Sequence, residues 1–333
     1  MSTLAQGTIV VRPRRIGATT ATLLAGAVAL AVGFALPLLL PSKIAMSLFA
    51  QALFDALLAT SVGFLFLQNG RISFGQAAFS GLGGYAFGIL VARGLVGSEI
   101  ALLIALLLPT LVAFLLGLVI ARVSGVAHAM LTLAVGQAFY EVAFRWRELA
   151  KGDDGMSFDL PRRIFGLSSR GLQDPAFMVV LAWCLLVVVL VGLALFARSR
   201  IGMVTAAIRD NEERARFLGY STTLPRALVY ALAAFIAAIA GILQASYNGY
   251  IAPQMFHWTV SGYALIMAIL GGAKFIIGPA VGAVVLFYVK ELAGQVAEYW
   301  PAIVGGALVL VTLTMPQGII GILRLLWLRR PPQ

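Results

Sequence analysis

Residue types that commonly carry chemistry are scarce in this chain of 333 residues. It contains one cysteine, Cys184, and two histidines, His128 and His257. A disulfide framework needs paired cysteines, and a zinc site needs several Cys or His ligands. None of the four lysines, at positions 43, 151, 274 and 290, follows a glycine, so no phosphate-binding Gly-Lys-Ser/Thr loop is encoded. The chain is therefore predicted to hold no redox, zinc or ATP site of its own and to have no enzymatic activity.

The composition instead places the chain in a membrane. Hydrophobic residues make up 61% and charged residues 11%, against about 45–50% and 25% in soluble domains. About 20 apolar residues cross a bilayer as a helix, and five charge-free runs reach that length: 18–40, 100–121, 175–197, 227–250 and 301–323. The stretches 44–67 and 123–144 are apolar apart from isolated polar residues, and three shorter ones are glycine-rich: 75–92, 258–273 and 275–289. We predict an all-α polytopic membrane protein with about ten transmembrane helices (8 to 10), forming one domain over residues 1–333.

The charge distribution predicts how these helices are oriented. With ten crossings, 15 of the 24 Lys and Arg residues fall on one side, and the positive-inside rule places that side in the cytoplasm with both termini. Residues 145–174 then form an extracytoplasmic loop. Merging 258–289 into one helix would move three C-terminal arginines outside, so ten crossings are favoured over nine. The net charge of +11 thus reflects membrane orientation and does not indicate nucleic acid binding. The first apolar run is expected to be a retained helix because it is too long for a signal peptide.

Two polar residues within predicted spans need an explanation. Asp55 lies near the middle of 44–67, where a charge costs about 2.5–3.5 kcal/mol on insertion scales, so its carboxyl should face protein or water. It is interpreted either as part of a polar pathway or gate, or as a hydrogen-bonded, protonated carboxyl that fixes two helices. His128 is expected to make an interhelical contact and not to relay protons.

The longest segment on the basic side, residues 198–225, is predicted to contain a helix outside the membrane. Residues on one face of that helix are apolar: Val204, Ile208, Ala215 and Leu218. The pairs Asp210 with Arg214 and Glu212 with Arg216 have the i, i+4 spacing of salt bridges, and Gly219 has the position of a C-cap. The segment could rest on lipid headgroups or dock a protein partner.

Three segments resemble one family of membrane proteins. Residues 206–220 resemble the coupling loop of the branched-chain amino acid ABC-transporter permeases of the LivM type. Residues 69–85 and 271–283 are similar to two glycine-rich stretches of that family, and the three segments occur in the family's order. The chain departs from the family at Gln76, Gly84 and Lys274, where His, Ala and Gly are usual.

The resemblance implies a multi-pass permease subunit of a bacterial inner membrane importer. Its expected partners are a homologous permease, two ATP-binding cassette subunits that hold ATP and Mg²⁺, an extracytoplasmic solute-binding protein and membrane lipid. Branched-chain amino acids are the expected cargo, with urea, amides or another small polar solute as alternatives. The expected ATPase-coupling residues are Ala207, Ile208, Arg209, Asp210, Asn211, Glu212, Glu213, Arg216 and Gly219. The expected translocation path is lined by Asp55, Gln76, Phe79, Tyr85, Gly271, Gly272, Lys274 and Gly278. A rival hypothesis is a secondary transporter driven by an ion gradient, with Asp55 as its coupling carboxylate.

The two glycine-rich segments also share a pattern with each other. A basic residue, Arg71 or Lys274, is followed four positions later by a glycine, and a G-x-x-x-G pair lies in each segment. This is a weak internal repeat. Such glycines serve either close helix packing or an irregular backbone beside a cavity.

Overall fold

The chain is described by a computed structural model over residues 16–160, 163–164, 167–296 and 317–328, with isolated positions at 302, 305, 306 and 309. Longer helices form the bundle: α1 (Ile16–Leu39), α2 (Lys43–Asn69), α3 (Gln76–Ala92), α4 (Ser98–Ile120), α5 (Gly125–Arg145), α8 (Pro175–Arg198), α11 (Thr223–Asn248), α12 (Trp258–Gly271) and α13 (Gly278–Val296). Shorter helices are α6 (Arg147–Ala150), α7 (Ser169–Gln173), α9 (Arg200–Asp210), α10 (Glu212–Phe217) and α14 (Gly318–Leu328). There are also two short 3-10 helices, Gly152–Asp154 and Pro253–Phe256, and four two-residue strands: β1 (Met156–Ser157), β2 (Arg163–Ile164), β3 (Leu167–Ser168) and β4 (Tyr250–Ile251).

The predicted all-α architecture is confirmed. Within the described ranges, nine of the ten predicted stretches coincide with the bundle helices; the tenth, 301–323, lies mostly outside them. By length and composition, α1, α2, α4, α8 and α11 are able to cross a membrane. The count of ten crossings and the side of each terminus stay predictions, and the terminal arginines that bear on them lie outside the described residues.

Two helices form the centre of the bundle. The most apolar windows of α2 and α11 are 78% and 72% buried, against 11–28% for α1, α4 and α8. Helix α11 packs closely on α3 because small residues meet there: a side chain at Gly83 would lie 3.0 Å from Ala238, and one at Gly241 would collide with Ser80. Small residues that let backbones approach are typical of helix contacts in membranes.

Helices α12 and α13 are separate and antiparallel, so the merged alternative is wrong. Gly272 closes α12 with a φ of 108°, in the left-handed region that glycine adopts readily. Gly271, the last residue of α12, packs against the backbone of Gly278, the first residue of α13. A side chain at Gly271 would have no space. The start of α14 packs on the same turn, with Gly318 against Gly272.

The two ends of the bundle differ. We call the end that carries α9 and α10 the loop face; the described residues of 145–174 lie at the opposite face. There β1 pairs antiparallel with β4, Met156 opposite Ile251, and β2 pairs with β3. The sequence had predicted only a loop in this region. Two-residue strands are too short to give a periodic sequence signal.

Trp183 of α8 joins the outermost helix, α1, to the bundle. Its Nε1 donates a hydrogen bond of 2.8 Å to the carbonyl of Ala29, linking α8 to α1. By contrast, Trp146 and Trp258 are 53% and 42% exposed at helix ends. This is the distribution expected when tryptophans anchor helix ends at the membrane interface.

Candidate functional site

The segment 198–225 folds as two helices, and the prediction of one continuous helix is wrong. Asn211 has an extended backbone, with φ −158° and ψ 102°, and its side chain accepts a hydrogen bond of 2.8 Å from the N–H of Arg214. Asparagine competes with helix continuation by bonding the backbone in this way. The break separates Asp210 from Arg214, so the predicted pair between them does not form, and Asp210 instead contacts Arg209 at 2.8 Å.

The second helix ends as predicted. Gly219 has a φ of 85°, and its N–H donates to the carbonyl of Arg216 at 2.9 Å. The N–H of Tyr220 donates to the carbonyl of Ala215 at 3.1 Å. These two bonds form a Schellman motif, in which a left-handed glycine satisfies the last carbonyls of a helix.

Glu212 is the centre of an ion-pair network at the loop face. Its carboxylate lies 2.6 Å from Arg226 of α11 and 3.3 Å from Arg71. It also lies 2.6 Å from Arg216, which confirms that predicted pair, and accepts a hydrogen bond of 3.1 Å from Thr222. One carboxylate thus links α10 to the start of α11 and to the α2–α3 turn.

Burial makes this network energetically important. The side chains of Arg71 and Arg226 are only 9% and 6% exposed, whereas that of Glu212 is 26% exposed. Burial lowers the pKa of Arg71, and repulsion from Arg226 lowers it further. Burial alone would raise the pKa of Glu212, but the nearby Arg226 guanidinium, then Thr222 and Arg216, outweigh burial and hold the pKa below its usual value. Glu212 therefore compensates two nearly buried cations.

The same network reaches the ends of further helices. Arg71 Nη1 donates to the carbonyls of Ala121 and Val123, at 2.8 and 2.5 Å, where α4 is connected to α5. Thr205 of α9 donates a hydrogen bond of 2.7 Å to Gln68 of α2, and Arg209 donates to the carbonyl of Leu67. The segment is consequently fixed to α2, α11 and the α4–α5 connection.

The outward side of the segment carries exposed apolar residues. Phe217 is 91% exposed and Leu218 71%, whereas Ile208 is 1% exposed and faces the bundle. Of the predicted apolar stripe, Val204, Ala215 and Leu218 share the outward side, whereas Ile208 is turned toward the bundle. A groove of about 470 Å³ runs along the outward side, lined by Arg200, Met203, Val204, Ala207, Asn211, Arg214, Ala215, Leu218 and Tyr220.

The residues predicted to couple to an ATPase are thus divided. Ile208 and Glu212 are turned toward the bundle, and Arg209 contacts α2. Ala207 and Asn211 line the outward groove. The remaining predicted residues are exposed: Asp210, Glu213, Arg216 and Gly219.

A second polar cluster lies in a cavity between bundle helices, and two of its members, Gln244 and Lys290, are exposed. Asp55 lines a cavity of about 180 Å³ between α2, α11, α12 and α13, together with Gln244, Tyr263 and Lys290. Lys290 Nζ lies 5.5 Å from the ring centroid of Tyr263. Asp55 accordingly faces protein, as the cost of a charge in lipid requires.

The other predicted path residues are not brought to this cavity. Gln76 and Phe79 are fully buried, with Gln76 Oε1 accepting 3.0 Å from Ser61 and Phe79 packed on Tyr230. Tyr85 is packed on Phe256, with ring centroids 5.1 Å apart. The path residues Gly271, Gly272 and Gly278 form the α12–α13 turn, and Lys274 is exposed there.

His128 occupies an interhelical position, as predicted. It is 3% exposed on α5, and its Nδ1 lies 3.4 Å from the carbonyl of Ile120 at the end of α4.

Sequence reasoning missed Arg226, Thr222 and Lys290. Arg226 precedes the charge-free run 227–250 by one residue, so it was excluded from the predicted span and was not considered as a partner for the acidic residues of the segment 198–225. Lys290 had a usable signal: a carboxyl within a predicted span, such as Asp55, is commonly accompanied by an opposite charge, and Lys290 lines the same cavity.

Comparison with known proteins identifies the family of the chain. A family model described as "Branched-chain amino acid transport system / permease component" matches residues 44–313. That range contains the ion-pair network, the outward groove and the Asp55 cavity. The chain belongs to this family of membrane transport permeases.

Several curated relatives are similar to the chain. The high-affinity branched-chain amino acid transport system permease protein LivM of Salmonella typhimurium is 28% identical over 277 residues, covering 77% of this chain and 65% of LivM. LivH of the same organism is 30% identical over 161 residues, 47% of this chain and 52% of LivH. The autoinducer 2 import system permease protein LsrC of Klebsiella pneumoniae is 29% identical over 161 residues, 44% and 46% of the two chains. The chain thus aligns with slightly less than two thirds of the length of LivM. No solved structure matches it.

Proposed function

We propose that this chain is the membrane permease subunit of an ATP-driven importer, and that its outward groove on α9 and α10 docks a separate ATPase subunit. The observation that carries the proposal is the two-sided character of the segment 198–225. Its inner side is held by Glu212, and its outer side exposes Phe217 and Leu218 beside a groove. Exposed apolar patches beside a groove are typical of protein interaction sites.

The inner side would transmit the motion of the docked subunit. Arg71, Arg226 and Glu212 are paired across α10, α11 and the α2–α3 turn. A displacement of α10 must therefore move the ends of the two central helices or break a nearly buried ion pair. ATP and Mg²⁺ would be bound by the ATPase, and this chain would supply the mechanical connection.

The proposed importer has the composition that the resemblance implies. A second, homologous permease would complete the membrane core, two ATP-binding cassette subunits would dock at the loop face, and an extracytoplasmic solute-binding protein would deliver cargo at the opposite face. The loop face would then be cytoplasmic in a bacterial inner membrane, which agrees with the positive-inside rule. The curated relatives named for branched-chain amino acid transport support that cargo, and LsrC, named for autoinducer 2 import, supports a cargo outside that class.

The cavity beside Asp55 supports a polar binding site for the transported solute within the membrane. The cavity combines Asp55, Gln244 and Lys290 with apolar walls that include Leu58 and Met267. An acid and a base in one apolar cavity suit a small solute that carries both charges. The rival hypothesis, a secondary transporter, would use the same carboxylate to bind a coupling ion.

Reconstitution tests the proposal against this rival. Purified chain in liposomes should not accumulate labelled leucine under a proton or sodium gradient alone. Uptake should require the second permease, the ATPase, ATP and the solute-binding protein. Uptake by this chain alone under an ion gradient would disprove the importer.

The docking surface is tested by a matched pair of leucines. Leu218→Asp should abolish co-purification of the ATPase, because a carboxylate would be placed in the apolar contact. The control is Leu95→Asp, a leucine 62% exposed at the other end of the bundle, which should leave co-purification intact. Equal co-purification for both variants would contradict docking at the groove and favour contact with lipid headgroups.

A further inference from the structure

A second surface feature lies near the loop face, between α1, α8 and the α12–α13 turn. This cavity has a volume of about 790 Å³ and mostly apolar walls. Small residues of α1, including Ala25 and Ala29, form one wall, and Val187 and Val191 of α8 form another. Because α1 has the lowest buried fraction of the five candidate spans, the cavity lies at the periphery of the bundle, where lipid is the solvent.

Two cations stand at the loop-face end of this cavity. Arg198, the last residue of α8, and Lys274, in the α12–α13 turn, both line it. Arg198 Nη1 donates a hydrogen bond of 2.9 Å to Thr22 of α1, which fixes its position. Lys274 is exposed, and no carboxylate of the described residues lies within 4.0 Å of it. A third cation, Arg324, lies with its guanidinium 5.9 Å from the ring of Phe275 in the same turn.

This arrangement is that of an amphiphile site. Apolar walls in contact with lipid accept an acyl chain, and clustered cations between transmembrane helices recognise anionic headgroups. We propose that the cavity binds one anionic phospholipid, with its phosphate between Arg198 and Lys274 and an acyl chain along α1 and α8. A free phosphate would leave the apolar walls unused, and a neutral lipid would offer no net negative charge to Lys274, which has no carboxylate of the described residues within 4.0 Å.

The bound lipid would also stabilise a weakly packed helix. Helix α1 is joined to α8 through Trp183 and Arg198, and the cavity separates it from the α12–α13 turn. A lipid in that space would bridge α1 to the turn.

Native mass spectrometry of the purified chain, titrated with phosphatidylglycerol and with phosphatidylcholine of the same acyl chains, tests the site. The wild type should bind phosphatidylglycerol more tightly. Lys274→Gln should lower that affinity about fivefold, the effect of one cation near an anionic headgroup, and leave phosphatidylcholine binding unchanged. Arg122→Gln, which removes an exposed cation outside the cavity, should change neither affinity.

A second variant tests the apolar part of the site. Ala25→Phe should fill the cavity and weaken both lipids, while the thermal unfolding midpoint reports whether the chain is folded. Equal affinity of the wild type for the two lipids would overturn the proposal, as would equal losses in Lys274→Gln and Arg122→Gln. Competition by inorganic phosphate at the concentration of the lipid would reveal a free-anion site, and displacement of the lipid by the second permease would assign the cavity to a protein interface.

Discussion

The turn between α2 and α3 and the turn between α12 and α13 begin in the same way. Gly70 closes α2 with a φ of 66°, and Gly272 closes α12 with a φ of 108°. A basic residue follows each of them, Arg71 in the first turn and Lys274 in the second, and a glycine four positions later lies at the start of the next helix. The shared sequence pattern therefore corresponds to a shared backbone feature, a helix closed by a left-handed glycine.

The surroundings of the two basic residues are opposite. Arg71 is nearly buried, donates to two backbone carbonyls and pairs with Glu212. Lys274 is exposed at the rim of an apolar cavity. The first turn is fixed by the segment 198–225, and the second by contacts among its own glycines. Glycine spacing thus determines how the chain turns, and neighbouring helices determine what the basic residue does.

The largest expected effect comes from the glycine contact of the second turn. Gly271→Ala places a methyl group against the backbone of Gly278, which cannot move aside as a side chain would. We expect a loss of about 1–3 kcal/mol or more from overpacking, measured as reduced yield and a lower unfolding midpoint in detergent. Gly262→Ala on the same helix has open space around it and is the control. An unchanged midpoint for Gly271→Ala would show that the two helices do not touch there.

The next effect concerns the first turn. Glu212→Gln removes the negative charge that compensates Arg71 and Arg226, and we expect a loss of about 1.5–3 kcal/mol in stability. Uptake by the reconstituted importer should fall more than ATPase binding, because the docking surface is retained. The matched control for stability is Glu213→Gln, an exposed neighbour that should leave the unfolding midpoint unchanged. Equal behaviour of the two variants would remove Glu212 from the coupling role.

Acid should weaken the first turn by the same route. The folded pKa of Glu212 lies below its usual value, so its contribution to stability is complete above the unfolded pKa of about 4.3 and is lost as the pH falls through the lower folded value. The difference in unfolding midpoint between wild type and Glu212→Gln should therefore shrink below pH 4.3. A difference that is constant from pH 6 to pH 3 would mean that the carboxylate is not the stabilising group.

Much of the helical architecture was predictable because lipid imposes it. Long uncharged runs become helices whatever their neighbours are, and nine predicted stretches coincide with described helices. The capping role of Gly219 and the pair between Glu212 and Arg216 were also predictable, since both depend on residues within one turn of each other.

Contacts between distant parts of the chain were not predictable in this way. The break at Asn211 was not predictable from helical periodicity, because a hydrogen bond from the N–H of Arg214 to the Asn211 side chain competes with helix continuation. The pairing of Glu212 with Arg71, 141 residues away, leaves no trace in local spacing. Lys274 was assigned to the translocation path from its place in a glycine-rich motif, whereas its exposure at the α1–α8 cavity depends on how three helices pack.

The smallest expected effects compare the two basic residues by exchanging their types. Arg71→Lys should cost about 1 kcal/mol or more, because lysine cannot reproduce the planar fork that reaches two carbonyls and Glu212 at once. Lys274→Arg should leave the unfolding midpoint unchanged, since a lipid-facing cation needs its charge and not a fixed geometry. Midpoints measured in the same detergent test both substitutions. If Lys274→Arg were the more damaging of the two, the second turn would have to hold its basic residue in a specific contact, and the contrast drawn between the two turns would be wrong.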